Sequence, residues 1–127
     1  MGSKAHLDTH IALWLHDTLI EKISPAQAHL IETSDVFISQ FVRLELHYLF
    51  EIGRIDIKPD TIISFLSTNA DILVSTTPLQ KIMNEAVRLQ WTRDSFDRLI
   101  TANALAEKAS LLTQDSTILR HCSSAVG

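Results

Sequence analysis

The stretch Ala5-His6-Leu7-Asp8-Thr9-His10-Ile11-Ala12-Leu13-Trp14-Leu15 sets the pattern for the whole chain. A short apolar run stops at Asp8 and passes directly into a bulky apolar segment from Ile11 to Leu15. The first suits a buried strand and the second a buried helix, with a polar turn between them. The same unit then recurs. Ser24-Pro25 caps a helix over residues 26–32, and Val36-Phe37-Ile38-Ser39 follows as a second strand. From residue 40 to 52, Phe41, Leu44, Tyr48, Leu49 and Ile52 recur at helical steps, with Gly53 placed to end the helix. Pro59 opens a helix through Leu66, and Pro78 opens another to about Leu89. A third strand is predicted over Ala70 to Val74 and a fourth over Ser110 to Thr113, with a helix carrying Leu99, Ile100, Ala102, Leu105 and Ala106 between them. Strands separated by helices imply right-handed crossovers and a parallel sheet. The expected architecture is α/β, an α/β/α sandwich around four to five parallel strands.

The composition supports a single domain over residues 1–127. With 3 Gly and 3 Pro in 127 residues there is no low-complexity segment or linker. Met1-Gly2-Ser3 has the look of a cloning remnant and carries no weight in the fold. Cys122 is the only cysteine, so an intramolecular disulfide and a multi-thiolate zinc site are both excluded. No apolar run reaches the roughly 18–20 residues that span a bilayer, and the N-terminus lacks a signal-peptide core. A cytoplasmic protein without a membrane partner is expected. Lys plus Arg number 11 and Asp plus Glu 15, for a net charge of −4, so nucleic acid is not held here by bulk positive charge.

In such a sheet, ligands bind beyond the carboxyl ends of the strands. Asp8 ends the first strand and Asp115 follows the fourth, so the two share a crevice if those strands are neighbours. Glu45 lies at the boundary of an apolar stripe on its helix, and Asp94 and Asp97 share the first turn of another. Converging carboxylates without Cys or His form a hard oxygen-donor site suited to Mg2+ or Mn2+. Beside a phosphate, such an ion points to phosphodiester hydrolysis. Each acid also has a plainer use. Asp8 and Asp94 are good helix caps, with Asp97 as Asp94's partner in the first turn, and Asp115 suits a turn before Ser116. Glu45 can reach water or pair with Arg43 or Arg98. The six His are scattered, and Trp14, Phe41, Tyr48 and Trp91 fit a core or interface better than a base-stacking platform.

Four motifs in order resemble the PIN-domain ribonucleases, in particular their VapC toxin branch. They are Leu7-Asp8-Thr9-His10 onward to Leu15, Ile38-Ser39 leading to Leu44-Glu45-Leu46, Arg93-Asp94-Ser95-Phe96-Asp97-Arg98-Leu99-Ile100, and Leu111-Leu112-Thr113-Gln114-Asp115. The resemblance covers about residues 5 to 120. It implies a metal-dependent endoribonuclease using Mg2+ or Mn2+, the toxin of a toxin–antitoxin pair, acting on structured RNA of the tRNA or rRNA class. It also implies a cognate antitoxin and a homodimer or toxin–antitoxin hetero-oligomer. Carried over by motif, Asp8, Glu45, Asp97 and Asp115 are the catalytic, metal-site acids, with Asp94 as an accessory acid. Thr9 and Thr113 resemble hydroxyl residues that orient those carboxylates, and Arg93 and Arg98 are expected to meet phosphate. Ser95 stands where the family commonly has Pro, and Trp91-Thr92 where a His often precedes Arg93. The family's last strand is barely recognisable after Arg120, so an irregular C-terminus is expected.

Other classes fit less well. A receiver-type phosphoacceptor domain needs a paired acid after the first strand and a Lys after the last, and neither is present. A haloacid-dehalogenase-type phosphatase needs an Asp where His10 stands. A catalytically silent PIN-like binding module would have lost two or more of the acids.

Overall fold

The computed structural model describes residues 3–127. Strand β1 is Lys4–Leu7, β2 is Asp35–Ile38, β3 is Leu73–Val74, β4 is Ser110–Leu112 and β5 is Ala125–Val126. Among the described residues they form one five-stranded sheet in the order β3-β2-β1-β4-β5, with every pair parallel. Helices flank it: α1 (Thr9–His16), α2 (Pro25–Thr33), α3 (Gln40–Glu51), α4 (Pro59–Ala70), α5 (Leu79–Ala86), α6 (Ser95–Ala106) and α7 (Ser116–His121). The expected α/β/α arrangement is therefore observed. Consecutive strands run outward from β1 to β3 and the chain then returns to place β4 on the other side of β1. The crevice between β1 and β4 is thus the point where strand order reverses.

Local chemistry explains most boundaries. Ser24 and Gln27 form a reciprocal capping box at α2, with Pro25 in its first turn. Ser39 Oγ accepts from the Val42 N–H at the start of α3. Gly53, at φ 76°, ends that helix in a left-handed conformation. A Cβ at Gly53 would meet nothing within 4 Å, so Gly53→Ala carries a backbone cost alone. It is expected to lower stability by about 1 kcal/mol in a urea titration.

The ends of three elements differ from expectation. Helix α4 runs on to Ala70, because no breaker follows Leu66 and Asp71 accepts the left-handed φ of 53° that stops it. The third strand is consequently only Leu73–Val74. Helix α5 ends at Ala86, although Leu89 keeps the apolar pattern by packing with Ile82, Ala86 and Ala102. The C-terminus is ordered into α7 and β5. Strand β5 is held by the Leu111 and Thr113 N–H groups, which donate to Ser124 O and Val126 O. Two paired residues are too short to leave a period in sequence.

The core lies on both faces of β1 and β4, where Ala5, Leu7, Leu111 and Leu112 are fully buried against Ile11, Ile38, Val42, Leu46, Ile100 and Ile118. One buried polar staple crosses it. His6 Nε2 donates to Glu107 at 2.5 Å, and Ser75 Oγ donates to the same carboxylate at 2.8 Å. Burial lowers the His6 pKa more than Glu107 raises it, so the imidazole stays neutral. Burial alone would push Glu107 up, but the hydrogen bonds from His6 and Ser75 carry its carboxyl below its ordinary value. No helix among the described residues is long and apolar enough to cross a membrane.

Candidate metal centre

Asp8 follows the last residue of β1 and caps α1, with Oδ1 accepting from the Thr9 N–H at 2.8 Å. Its Oδ2 accepts from Thr113 Oγ1 at 2.6 Å, across the crevice at the end of β4. The Thr113 hydroxyl in turn accepts from the Asp115 N–H at 3.0 Å, and Asp115 caps α7 through the Ile118 N–H. One threonine therefore links two acids 107 positions apart. The Asp8 N–H donates to Leu112 O at 2.9 Å, which locks the ends of β1 and β4 together.

Glu45 approaches from α3, where Ser39 capping and the burial of Val42 and Leu46 fix the helix. It pairs with neither Arg43 nor Arg98. Its Oε1 accepts from Thr9 Oγ1, so Thr9 touches Asp8 with its backbone and Glu45 with its side chain. Asp97 projects from the first turn of α6, whose cap is Asp94: Asp94 Oδ1 accepts from the Asp97 N–H at 2.9 Å.

Asp8, Glu45, Asp97 and Asp115 together line one cavity of about 330 Å³. Their electrostatics show how closely they converge. Burial pushes the Asp8 carboxyl up, against the hydrogen bonds from Thr113 and Thr9. Burial also raises Glu45, with Asp8 and Asp94 adding to the effect. Asp97 is pushed up to about 7, first by burial and then by Asp94, Asp115, Asp8 and Glu45. Four carboxylates drawn from separate segments repel one another here, and the cavity needs positive charge.

An all-oxygen donor set suits a hard cation. Among the described residues, however, no three His, Cys, Asp or Glu side chains stand close enough together to enclose an ion by themselves. That spread fits Mg2+ or Mn2+, since Mg2+ takes one or two carboxylates and keeps several waters. It fits poorly with zinc or calcium, which draw on three or more protein ligands.

Three expected participants stand apart from this cavity. Asp94 is occupied as the cap of α6 and acts on Asp97 and Glu45 through charge. Arg93 is exposed and outside the lining. Arg98 donates from Nε to Ala86 O at 2.8 Å and from an Nη to Val87 O at 3.4 Å, at the C-terminal end of α5. It lines a separate, mostly apolar pocket with Met83, Val87 and Leu99. The negative end of a helix is a natural seat for a guanidinium, and these two bonds hold the Arg98 side chain away from the carboxylates. Arg98→Ala is expected to lower stability by about 1–2 kcal/mol in chemical denaturation.

Conversely, His10, Trp14 and Gln114 line the cavity without having stood out in the sequence. Trp14 sits in a continuous apolar run that reads as core. Gln114 is a lone amide after a strand, and only its position between Thr113 and Asp115 hints at the crevice.

Among solved structures, the chain is similar to VapBC2 from Rickettsia felis, a complex bound to a DNA fragment from its promoter. The TM-score is 0.67 at 18% identity, over 97% of this chain and 96% of that one. It is also similar to a toxin–antitoxin complex from Klebsiella pneumoniae, with a TM-score of 0.63 at 19% identity over the same shares. At these identities the likeness concerns the fold. No curated protein matches by sequence. The family model described as PIN domain matches residues 5–123, a span that takes in every carboxylate of the cavity, and the chain belongs to the PIN domain family.

Proposed function

We propose that the chain is a divalent-metal-dependent endoribonuclease and the toxin of a VapBC-type toxin–antitoxin pair. The observation that carries this reading is the single cavity lined by Asp8, Glu45, Asp97 and Asp115, with Asp97 raised to about 7 by burial and then by its acidic neighbours. Asp8, Asp97 and Asp115 are the residues that would hold Mg2+ or Mn2+, no more than two of them directly and the rest through its waters. When bound, such an ion lowers the pKa of a water and stabilises charge on the phosphate oxygens. The protein's own part is positional. Thr113 fixes the rotamer of Asp8, Thr9 turns Glu45 toward the same cavity, and Glu45 orients the attacking water.

The substrate is RNA of the translation machinery, tRNA or rRNA. The full acidic excess can be assigned to this site: setting the four acids aside leaves eleven acids against eleven bases. A bound cation then removes the repulsion that a phosphate would meet.

An antitoxin fits the same chemistry, because an Arg or Lys side chain entering the cavity would supply the missing positive charge. Leu79 and Met83 on α5 and Val87 just past its end are exposed at steps of one turn, and Leu44 and Tyr48 are exposed on α3. These apolar stripes give a second copy or an antitoxin a surface to cover. The structural neighbours being toxin–antitoxin complexes supports that assembly.

The test is incubation of the purified chain with total RNA in Mg2+, in Mn2+ and in EDTA, followed by sequencing of the new ends. Discrete cuts in either metal and none in EDTA are expected. Equal cutting in EDTA would contradict the reading. Brief expression in cells, with Asp97→Asn as control, maps the physiological RNA.

A further inference from the structure

The acidic cavity has a second wall that the hydrolytic reading leaves idle. His10 and Trp14 lie one turn apart on α1, with ring centroids 6.4 Å apart and planes inclined at 53°. The indole is half-buried against the core, and the rest of it lines the cavity. Lys22 Nζ stands 5.6 Å from the indole centroid, so a positive charge accompanies the aromatic face. Trp14 follows the helix cap Asp8 by six residues, about 9 Å along the helix axis, and both line the same cavity.

Gln114 on the far side is oriented by a buried relay. Gln27 is fully buried, and its Nε2 donates to Thr113 O at 3.2 Å and Val126 O at 2.9 Å. Its Oε1 must therefore be the acceptor for the Ser24 N–H at 3.1 Å and for Gln114 Nε2 at 3.3 Å. That assignment fixes the second amide as well. Gln114 spends one N–H on Gln27 and keeps a carbonyl oxygen and one N–H, a donor–acceptor pair suited to the edge of a base.

We propose that Trp14 and Gln114 form a nucleobase subsite beside the carboxylates, in which the indole stacks an unpaired base, Gln114 bonds its edge and Lys22 pairs with an adjoining phosphate. The proposal rests on the nuclease reading of the cavity. It selects single-stranded loops or ends over duplex, since a base inside a helix offers no face to a protein ring. Trp14 and Gln114 are then specificity-determining residues, separate from the acids that carry the hydrolysis.

Two measurements test it. In a Trp91→Phe background Trp14 is the only indole. Rapid mixing with single-stranded hexamers of adenylate, cytidylate or uridylate in Mg2+ should quench its fluorescence saturably, with one hexamer preferred. Absence of saturable quenching by all three would overturn the subsite. In steady-state cleavage of the preferred hexamer, Trp14→Leu should raise KM about tenfold with kcat within threefold, and Trp14→Phe should restore KM to within threefold. Gln114→Ala should level the preference among the hexamers. Equal effects of Leu and Phe, or a loss confined to kcat, would mean that Trp14 only supports the fold and would also overturn it. Failure of the nuclease reading looks different: the wild-type chain would cut no RNA in Mg2+ or Mn2+, while quenching by the hexamers would still support the base subsite.

Discussion

Asp97→Asn is expected to raise the melting temperature of the metal-free protein at pH 8 by about 4 °C, a gain that shrinks as the pH falls toward 4. The folded-state pKa of Asp97 stands at about 7, against an ordinary value of 3.8. Between those values the unfolded chain ionises this carboxyl while the folded chain keeps its proton. Stability therefore falls as pH rises through the window, and the penalty is complete above 7. Asn removes the ionisation without removing the hydrogen bond at the helix start, because the cap of α6 is Asp94 and it accepts from the backbone of residue 97. Asp97 is only partly buried, so solvent screens its repulsions and the recoverable gain is about 1 kcal/mol, which corresponds to about 4 °C for a domain of this size. Differential scanning calorimetry in EDTA at pH 8, 6 and 4 checks it. A melting temperature lowered at pH 8 would mean that Asp97 serves the fold and not a cation.

The second large effect concerns activity. Asp8→Asn should reduce metal-dependent RNA cleavage at least a thousandfold, with circular dichroism unchanged. Asp8 is mostly buried where β1 and β4 meet, and two hydrogen bonds hold its oxygens in place. Asn preserves the shape and can still accept from the Thr9 N–H, so the helix cap survives. What it loses is the negative charge that a cation needs, and its amide faces the Thr113 hydroxyl where a carboxylate accepted from it. The thermal gain expected for Asp97→Asn should therefore be smaller or absent for Asp8→Asn. Cleavage within threefold of wild type would remove Asp8 from the site.

The alternation of strands and helices was legible because apolar runs and polar breaks mark every crossover from Ala5 to Thr113. The pairing of Asp8 with Asp115 was legible only conditionally, since it requires β4 to lie beside β1, and strand order is a property of the assembled sheet. The capping and acidic roles of Asp8 prove compatible, and Asp115, expected in a turn before Ser116, instead caps α7 while lining the same cavity. Arg98 was out of reach for a different reason. Its neighbours in sequence are the acids of the site, yet its side chain turns to the carbonyls of α5, eleven and twelve residues earlier. Trp14 was hidden by apolar neighbours that do enter the core. The amide relay from Gln27 to Gln114 joins residues 87 positions apart and leaves no trace in local spacing.

The most direct measurement is calorimetric titration of Mn2+ into the isolated protein, because it reads the proposed site without an RNA. The wild-type chain should bind Mn2+ saturably, and more tightly as pH rises through about 7, where Asp97 gives up its proton. Asp8→Asn should abolish that binding, while Asp56→Asn, at an exposed acid outside the cavity lining, should leave it unchanged. Equal Mn2+ binding by the wild type and Asp8→Asn would contradict the assignment of the four acids to a metal site.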